Sequence, residues 1–163
     1  YNYKLFLFHF HNKIEIKQTN KIYNMMENKY KMYFDGASRG NPGKSGIGAV
    51  IYKNDDEIWS GCKYIGVQTN NIAEYCALIF GLEMAITLDI KDLSVFGDSL
   101  LVINQITNKY SVKNINLIEL YNKTTELTKQ FSNINYNHVY RKDNKRADYL
   151  SNLALNQKEK IEL

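Results

Sequence analysis

From Lys29 the chain alternates in polarity. Tyr30, Met32 and Phe34 fall on one face, and Lys31, Tyr33 and Asp35 on the other, which is the period of a half-buried strand. Gly36–Ser45 reads as a glycine-rich turn region holding the chain's one proline, Pro42. Gly46–Lys53 and Ile58–Ile65 predict two further strands, joined by the polar stretch Asn54–Glu57. Three strands with such short connections predict an antiparallel meander.

The period then changes. Thr69–Asn71 is a helix entry, and Ala73, Cys76, Ala77, Phe80, Met84 and Leu88 follow near helical spacing, predicting a helix over Ile72–Leu88. Leu93–Gly97 predicts a short buried strand, and Ser99 a cap for a helix over Leu100–Ile106. Leu117, Leu120, Tyr121, Thr124, Leu127, Thr128 and Phe131 form a cleaner helical stripe. Ile134–Arg141 predicts a fifth strand. A last helix is expected over Lys145–Gln157, capped by Asp143 or Asn144. The order βββαβααβα implies an α/β fold, a mixed five-stranded sheet flanked by helices.

Composition narrows the class. A chain of 163 residues, 44% hydrophobic and 23% charged, fits one globular domain with its own core. Cys62 and Cys76 match no metal-ligand spacing and read as small buried thiols. No apolar run reaches the ~18 residues of a membrane span. The net charge of +4 is uneven: residues 1–25 hold Lys4, Lys13, Lys17 and Lys21 against Glu15, while the remainder holds 17 basic and 16 acidic residues. Bulk charge therefore neither supports nor excludes a nucleic-acid partner. Residues 1–25 are expected to be an extension, disordered or outside the native protein, with 26–163 forming the domain. A transit peptide is the lesser reading, and the apolar run Leu5–Phe10 is too short and too broken by His9 for a secretory leader. A cytoplasmic location is the default expectation.

Four carboxylates stand where a sheet-based fold projects side chains into a cleft. Asp35 leads from a strand into glycine, and Asp98 ends the short buried strand. Glu74 and Asp148 each sit in the first turn of a helix. Singly, each has a plainer role: Glu74 and Asp148 suit the helix dipole, Asp98 suits a cap, and Asp35 suits a turn. Chemistry requires that they converge, and spacing alone does not show convergence.

The words around the acids carry more. They are Phe34-Asp35-Gly36-Ala37-Ser38-Arg39-Gly40-Asn41-Pro42-Gly43, then Thr69-Asn70-Asn71-Ile72-Ala73-Glu74-Tyr75, Gly97-Asp98-Ser99, and Asn144-Lys145-Arg146-Ala147-Asp148-Tyr149-Leu150-Ser151. In this set and order the chain resembles the ribonuclease H type 1 family, from about Lys29 to Gln157. The resemblance implies a ribonuclease H-like fold and hydrolysis of the RNA strand of an RNA/DNA hybrid, leaving 3′-hydroxyl and 5′-phosphate ends. It assigns Asp35, Glu74, Asp98 and Asp148 to two Mg²⁺ ions, with Mn²⁺ a possible substitute. Two such ions about 3.5–4 Å apart clamp the attacking and leaving oxygens of an in-line displacement. Without metal, four clustered acids repel one another, and raised carboxylate pKa values follow. The resemblance also sets Gly36, Asn41, Asn71 and Glu74 along the RNA strand, where 2′-hydroxyls distinguish RNA from DNA. It sets Thr69 and Asn70 at a DNA phosphate. The plainer roles, Thr69 as a helix cap and Asn41-Pro42-Gly43 as a turn, are compatible with these.

The chain departs from the family in two places. Tyr140–Asp148 has no histidine, where the best-known bacterial members carry one in a flexible loop. Arg141 is the expected stand-in, holding phosphate electrostatically because a guanidinium cannot act as a base at neutral pH. His138 shares strand parity with Tyr136 and reads as a core or sheet-face residue. Asn108–Asn116 has only Lys109 and Lys113 where many members carry a basic protrusion, so modest, salt-sensitive affinity is expected. A monomer with no obligate protein partner is expected. The competing readings are a binding module with weak or lost catalysis, the ribonuclease H portion of a reverse-transcribing element, and a kinase relative of related fold. The chain is too short for the two-domain kinase architecture.

Overall fold

The computed structural model describes residues 30–161, so the expected extension over 1–25 lies outside the described residues. Strands β1 (Tyr30–Gly40), β2 (Gly43–Lys53) and β3 (Asp56–Gln68) are followed by α1 (Asn70–Thr87), β4 (Asp92–Gly97), α2 (Leu100–Ile106) and α3 (Ile115–Thr128). Then come β5 (Asn133–His138), a 3₁₀ turn (Arg141–Asp143) and α4 (Lys145–Ile161). The five strands lie in the order β3-β2-β1-β4-β5. β1, β2 and β3 pair antiparallel, while β4 is parallel to both β1 and β5. This is the expected mixed sheet.

Both faces of the sheet are used. Met32 and Phe34 of β1, Ala49 and Ile51 of β2, and Val95 of β4 are fully buried on the face that α1 covers. α1 is itself backed by α3. The opposite face of β2 is covered by α4, which also reaches β1 and β3. Ala147, Leu150, Ala154 and Leu155 of α4 are buried there. Ser94, Phe96 and Asn137, on the β4–β5 side of the sheet, stay partly accessible.

Several boundaries moved. The turn expected over Gly36–Ser45 is mostly strand: β1 and β2 pair all the way from Gly36↔Ile47 to Gly40↔Gly43, leaving only Asn41 and Pro42 unpaired. The Ser38 hydroxyl, bonded to the Gln68 carbonyl at 2.9 Å, further ties this end to β3. The fifth strand ends at His138, not Arg141, because the chain turns into the 3₁₀ segment there. His138 is exposed, its ring edge-on to Tyr140 at 6.0 Å, a sheet-edge residue and not a core one. Cys62 and Cys76 are free but only half-buried.

The α1 stripe was also mis-phased. Its buried residues are Ala73, Glu74, Tyr75, Ala77, Leu78, Ile79, Gly81, Leu82 and Ala85. Cys76, Phe80 and Met84 are half-buried and Leu88 is 43% exposed. A helix squeezed between a sheet and a second helix is apolar over more than one stripe, so period alone does not set its phase. Leu82→Ala should therefore cost about 2–5 kcal/mol, whereas Leu88→Ala should change stability by less than about 0.5 kcal/mol. Urea unfolding of the two variants measures this, and a reversed ranking would contradict the packing described.

Candidate active site

Strand pairing brings the first two acids together. Phe34 of β1 is the register partner of Gly97 of β4 in a parallel pair. Asp35 and Asp98 follow those partners by one residue each, so adjacent strands deliver both carboxylates at the same level. Glu74 arrives from α1, which lies so close to β1 that a Cβ on Gly36 would sit 2.2 Å from the Ala73 carbonyl carbon. Only glycine permits that approach. The Gly36 N–H then donates to Glu74 Oε2 at 3.2 Å.

Carboxylate oxygens of Asp35, Glu74 and Asp98 all lie within 4.8 Å of one another. Asp35 and Glu74 are only 5% and 6% exposed. Burial pushes the Asp35 carboxyl up to about 6, against a lowering by the Ser151 hydroxyl, with Asp98 and Asp148 adding to the rise. Glu74 is held well above the usual carboxylate range by burial, then by Asp35 and Asp98. The expected rise thus appears at both buried acids.

Asp148, the fourth acid, stands outside this triad. It lies in the first turn of α4 and receives Arg141 Nη2 at 2.5 Å. Arg141 projects from the 3₁₀ turn, its side chain 75% exposed, and Asp148 holds the guanidinium protonated. Its charge also reaches Asp35 and Glu74, lowering both.

An open cleft of about 390 Å³ runs over the triad, with Gly36, Asn70, Ser99 and Arg141 among the residues lining it. Thr69 caps α1, accepting from the Ile72 N–H at 3.4 Å. Asn41 accepts from the Asn70 N–H at 3.0 Å, tying the β1–β2 turn to the start of α1. Two N–H groups at that helix start are thus already engaged within the protein. Asn41, Asn70 and Asn71 are exposed. Gly36 and Asn70 share the cleft with the triad, while Asn41, Thr69 and Asn71 flank it at the head of α1.

Two residues were not singled out as site residues. Asn144 was expected as a helix cap, but its buried side chain turns inward. The Nδ2 group donates to the Phe34 carbonyl and to Asp98 Oδ1, both at 2.9 Å. Asn144 Oδ1 has no partner among the described residues; flipping the amide would turn that oxygen onto two acceptors, so its orientation is fixed. Ser151 is fully buried and donates to Asp35 Oδ2. Helical spacing carried a signal for both, since Asn144, Asp148 and Ser151 share one helix face.

The donor set fits a hard divalent cation. All three clustered groups are carboxylates, the oxygen type that Mg²⁺ and its analogues take. The cation acting on them, Arg141, makes its ion pair with Asp148 instead.

The sheet order and this acidic cluster define a ribonuclease H-like α/β domain. A family described as reverse transcriptase-like matches residues 33–154. The ribonuclease HI of Halobacterium salinarum is 43% identical over 124 residues, covering 76% of this chain and 62% of that protein. The bifunctional protein Rv2228c of Mycobacterium tuberculosis is 42% identical over 123 residues, covering 74% of this chain and 34% of that protein. The chain thus spans about a third of the length of that relative. The solved structure of LC11-RNase H1 in complex with RNA/DNA hybrid is 35% identical with a TM-score of 0.76, covering 80% of this chain and 99% of that one. The chain belongs to the ribonuclease H type 1 family. Members of this family use divalent metal ions. Among the described residues, no helix is long and apolar enough to cross a membrane.

The raised Asp35 pKa has a definite sign. A carboxyl whose folded pKa exceeds its unfolded value favours folding at low pH, and that contribution is lost as pH rises from about 3.8 through about 6. In chelator, Asp35→Asn should therefore stabilise the protein more at pH 7.5 than at pH 5, by roughly 1–3 kcal/mol. Thermal or urea unfolding of both proteins at the two pH values measures the difference. An equal effect at both would show that Asp35 carries no such penalty.

Proposed function

We propose that this chain is a metal-dependent endonuclease that hydrolyses the RNA strand of RNA/DNA hybrids, with the activity residing in the 26–163 domain. The observation that carries the reading is the convergence of Asp35, Glu74 and Asp98 within 4.8 Å on an open cleft, in a chain of this family. A relative of 35% identity was solved with an RNA/DNA hybrid bound, which supports the choice of substrate.

In this reading Asp35, Glu74 and Asp98 hold Mg²⁺, and Asp148 completes the set when Arg141 turns to substrate. Bound divalent ions supply a nucleophilic water and stabilise the leaving oxygen. Water adds across the P–O3′ bond, leaving a 3′-hydroxyl and a 5′-phosphate. The protein's own part is placement. Asn144 holds Asp98 level with Asp35, and the Gly36 N–H orients Glu74. Arg141, exposed beside the cleft, meets the scissile phosphate and lowers the cost of its developing charge. Gly36, Asn41 and Asn71 lie along the RNA strand, where exposed amides reach 2′-hydroxyls. Thr69 and Asn70 face a phosphate of the DNA strand. Because the Asn70 N–H is engaged by Asn41, the contact there comes from the Asn70 side chain.

The test is cleavage of a labelled hybrid by the full chain with Mg²⁺, Mn²⁺ or chelator, beside single-stranded RNA, double-stranded RNA and double-stranded DNA. Cutting should be metal-dependent and confined to the RNA strand of the hybrid. Asp35→Asn should reduce it by more than ~100-fold. Arg141→Ala should lower kcat by about 10- to 100-fold, with Arg141→Lys recovering part of it. Metal-independent cutting, or equal cutting of duplex DNA, would refute the assignment. If folded chain cuts nothing with either metal, the enzyme assignment fails, and retained binding of the hybrid would make the domain a binding module.

A further inference from the structure

β1 and α4 meet at a buried polar contact, Ser151 against Asp35, apart from the exposed bond that Arg39 makes to Asn156. Asp35 is the register partner of Gly48 on β2, and α4 crosses directly above that pair. A Cβ on Gly48 would lie 2.5 Å from the Ser151 backbone nitrogen and 2.7 Å from the Ala147 carbonyl oxygen. A Cβ on Gly46 would lie 2.4 Å from the Ser151 carbonyl oxygen. Two glycines on β2 therefore let the helix backbone rest on the strand, at the depth where the shortest hydroxyl side chain reaches Asp35 Oδ2. Any larger residue at either glycine would lift Ser151 away.

The hydroxyl has two acceptors in reach and one hydrogen to give. The Asp148 carbonyl, 2.9 Å away, already accepts from Asn152 Nδ2 at 2.9 Å. The Asp35 carboxylate offers a charge-assisted bond, the stronger of the two. Ser151 is fully buried with one side-chain torsion, so holding it costs little entropy. A neutral donor of this kind fixes the carboxylate plane while leaving its charge intact. A lysine or arginine in the same place would cancel the charge that a cation needs.

We propose that Ser151 is a positioning residue for Asp35, orienting its carboxylate toward Glu74 and Asp98 and so setting the divalent-cation affinity of the triad. This rests on the reading of Asp35 as a metal ligand. Hydrogen-bond partners behind a metal ligand typically govern affinity by 10- to 100-fold, and Ser151 takes that place here.

The test uses the full chain without nucleic acid, titrated with Mg²⁺ and followed by calorimetry, with thermal unfolding in chelator run alongside. Ser45→Ala is the control. Ser45 is also a fully buried serine, but among the described residues its hydroxyl bonds the Gly43 and Gln68 carbonyls and none of the triad. Ser151→Ala should weaken Mg²⁺ binding by about tenfold while its melting temperature falls no further than that of Ser45→Ala. Ser45→Ala should bind Mg²⁺ as the unaltered chain does. Unchanged affinity in Ser151→Ala, or an equal loss in Ser45→Ala, would overturn the proposal. Asp35→Asn separates the two levels. If it binds Mg²⁺ like the unaltered chain, the ligand assignment itself fails; if it loses binding while Ser151→Ala keeps it, only the role of Ser151 fails.

Discussion

Keeping Asp35 and Glu74 out of water, side by side, is the constraint around which the rest of the molecule is arranged. Ionising two acids buried side by side is unfavourable, and a marginally stable domain tolerates few such penalties. The surroundings show how it is tolerated. The parallel β1–β4 pair, central in the sheet, delivers Asp35 and Asp98 side by side, one residue beyond the Phe34↔Gly97 partners. Gly36 lets α1 come close enough for a backbone N–H to meet Glu74. Gly46 and Gly48 do the same for α4 and Ser151. At each point a missing side chain gives a helix the depth needed to put one polar donor on one carboxylate.

Asn144 extends the same logic. It opens α4, yet its amide is spent on the Phe34 carbonyl and on Asp98, so the helix start, β1 and the end of β4 are joined through one buried group. In this arrangement the Asn144 oxygen has no partner among the described residues, and a buried acceptor left so is disfavoured. That a domain carries both this and a pair of buried acids argues that geometry at the strand ends is held at the expense of stability. Buried polar frameworks of this kind specify one arrangement more than they stabilise it.

Much of this could be read in the residues. Alternation in Tyr30–Asp35 and the apolar word Leu93–Gly97 gave two central strands, and Ser99 and Thr69 marked helix starts correctly because capping is local chemistry. What failed was non-local. Nothing in Gly36–Ser45 announces that its glycines lie within a ladder with β2, since glycine signals a turn and a close approach equally well. The phase of α1 was lost because α3 covers a face that period assigns to solvent. The four acids were found by their words, but not that three converge while Asp148 turns to Arg141. Ser151 and Asn144 were visible on the face of Asp148, yet a serine and an asparagine in a helix have too many ordinary roles to be singled out without their partners.

Charge explains how a domain with nearly balanced charge can still serve a polyanion. What matters at a phosphate is the field at the contact, not the sum over the chain. The three acids in the cleft would repel a phosphate backbone as they ionise, unless cations neutralise them, and the guanidinium that acts on them is tied to Asp148. On the proposed reading metal and substrate would be linked by electrostatics: ions that neutralise the triad would remove the repulsion, and a phosphate that drew Arg141 away would free Asp148 to join the ligands. Each would then make the other's binding more favourable, as reciprocal linkage requires. On that reading such a site would need no strongly basic surface to select its moment of action, because the acids proposed to carry the chemistry would also disfavour a phosphate until a cation neutralised them.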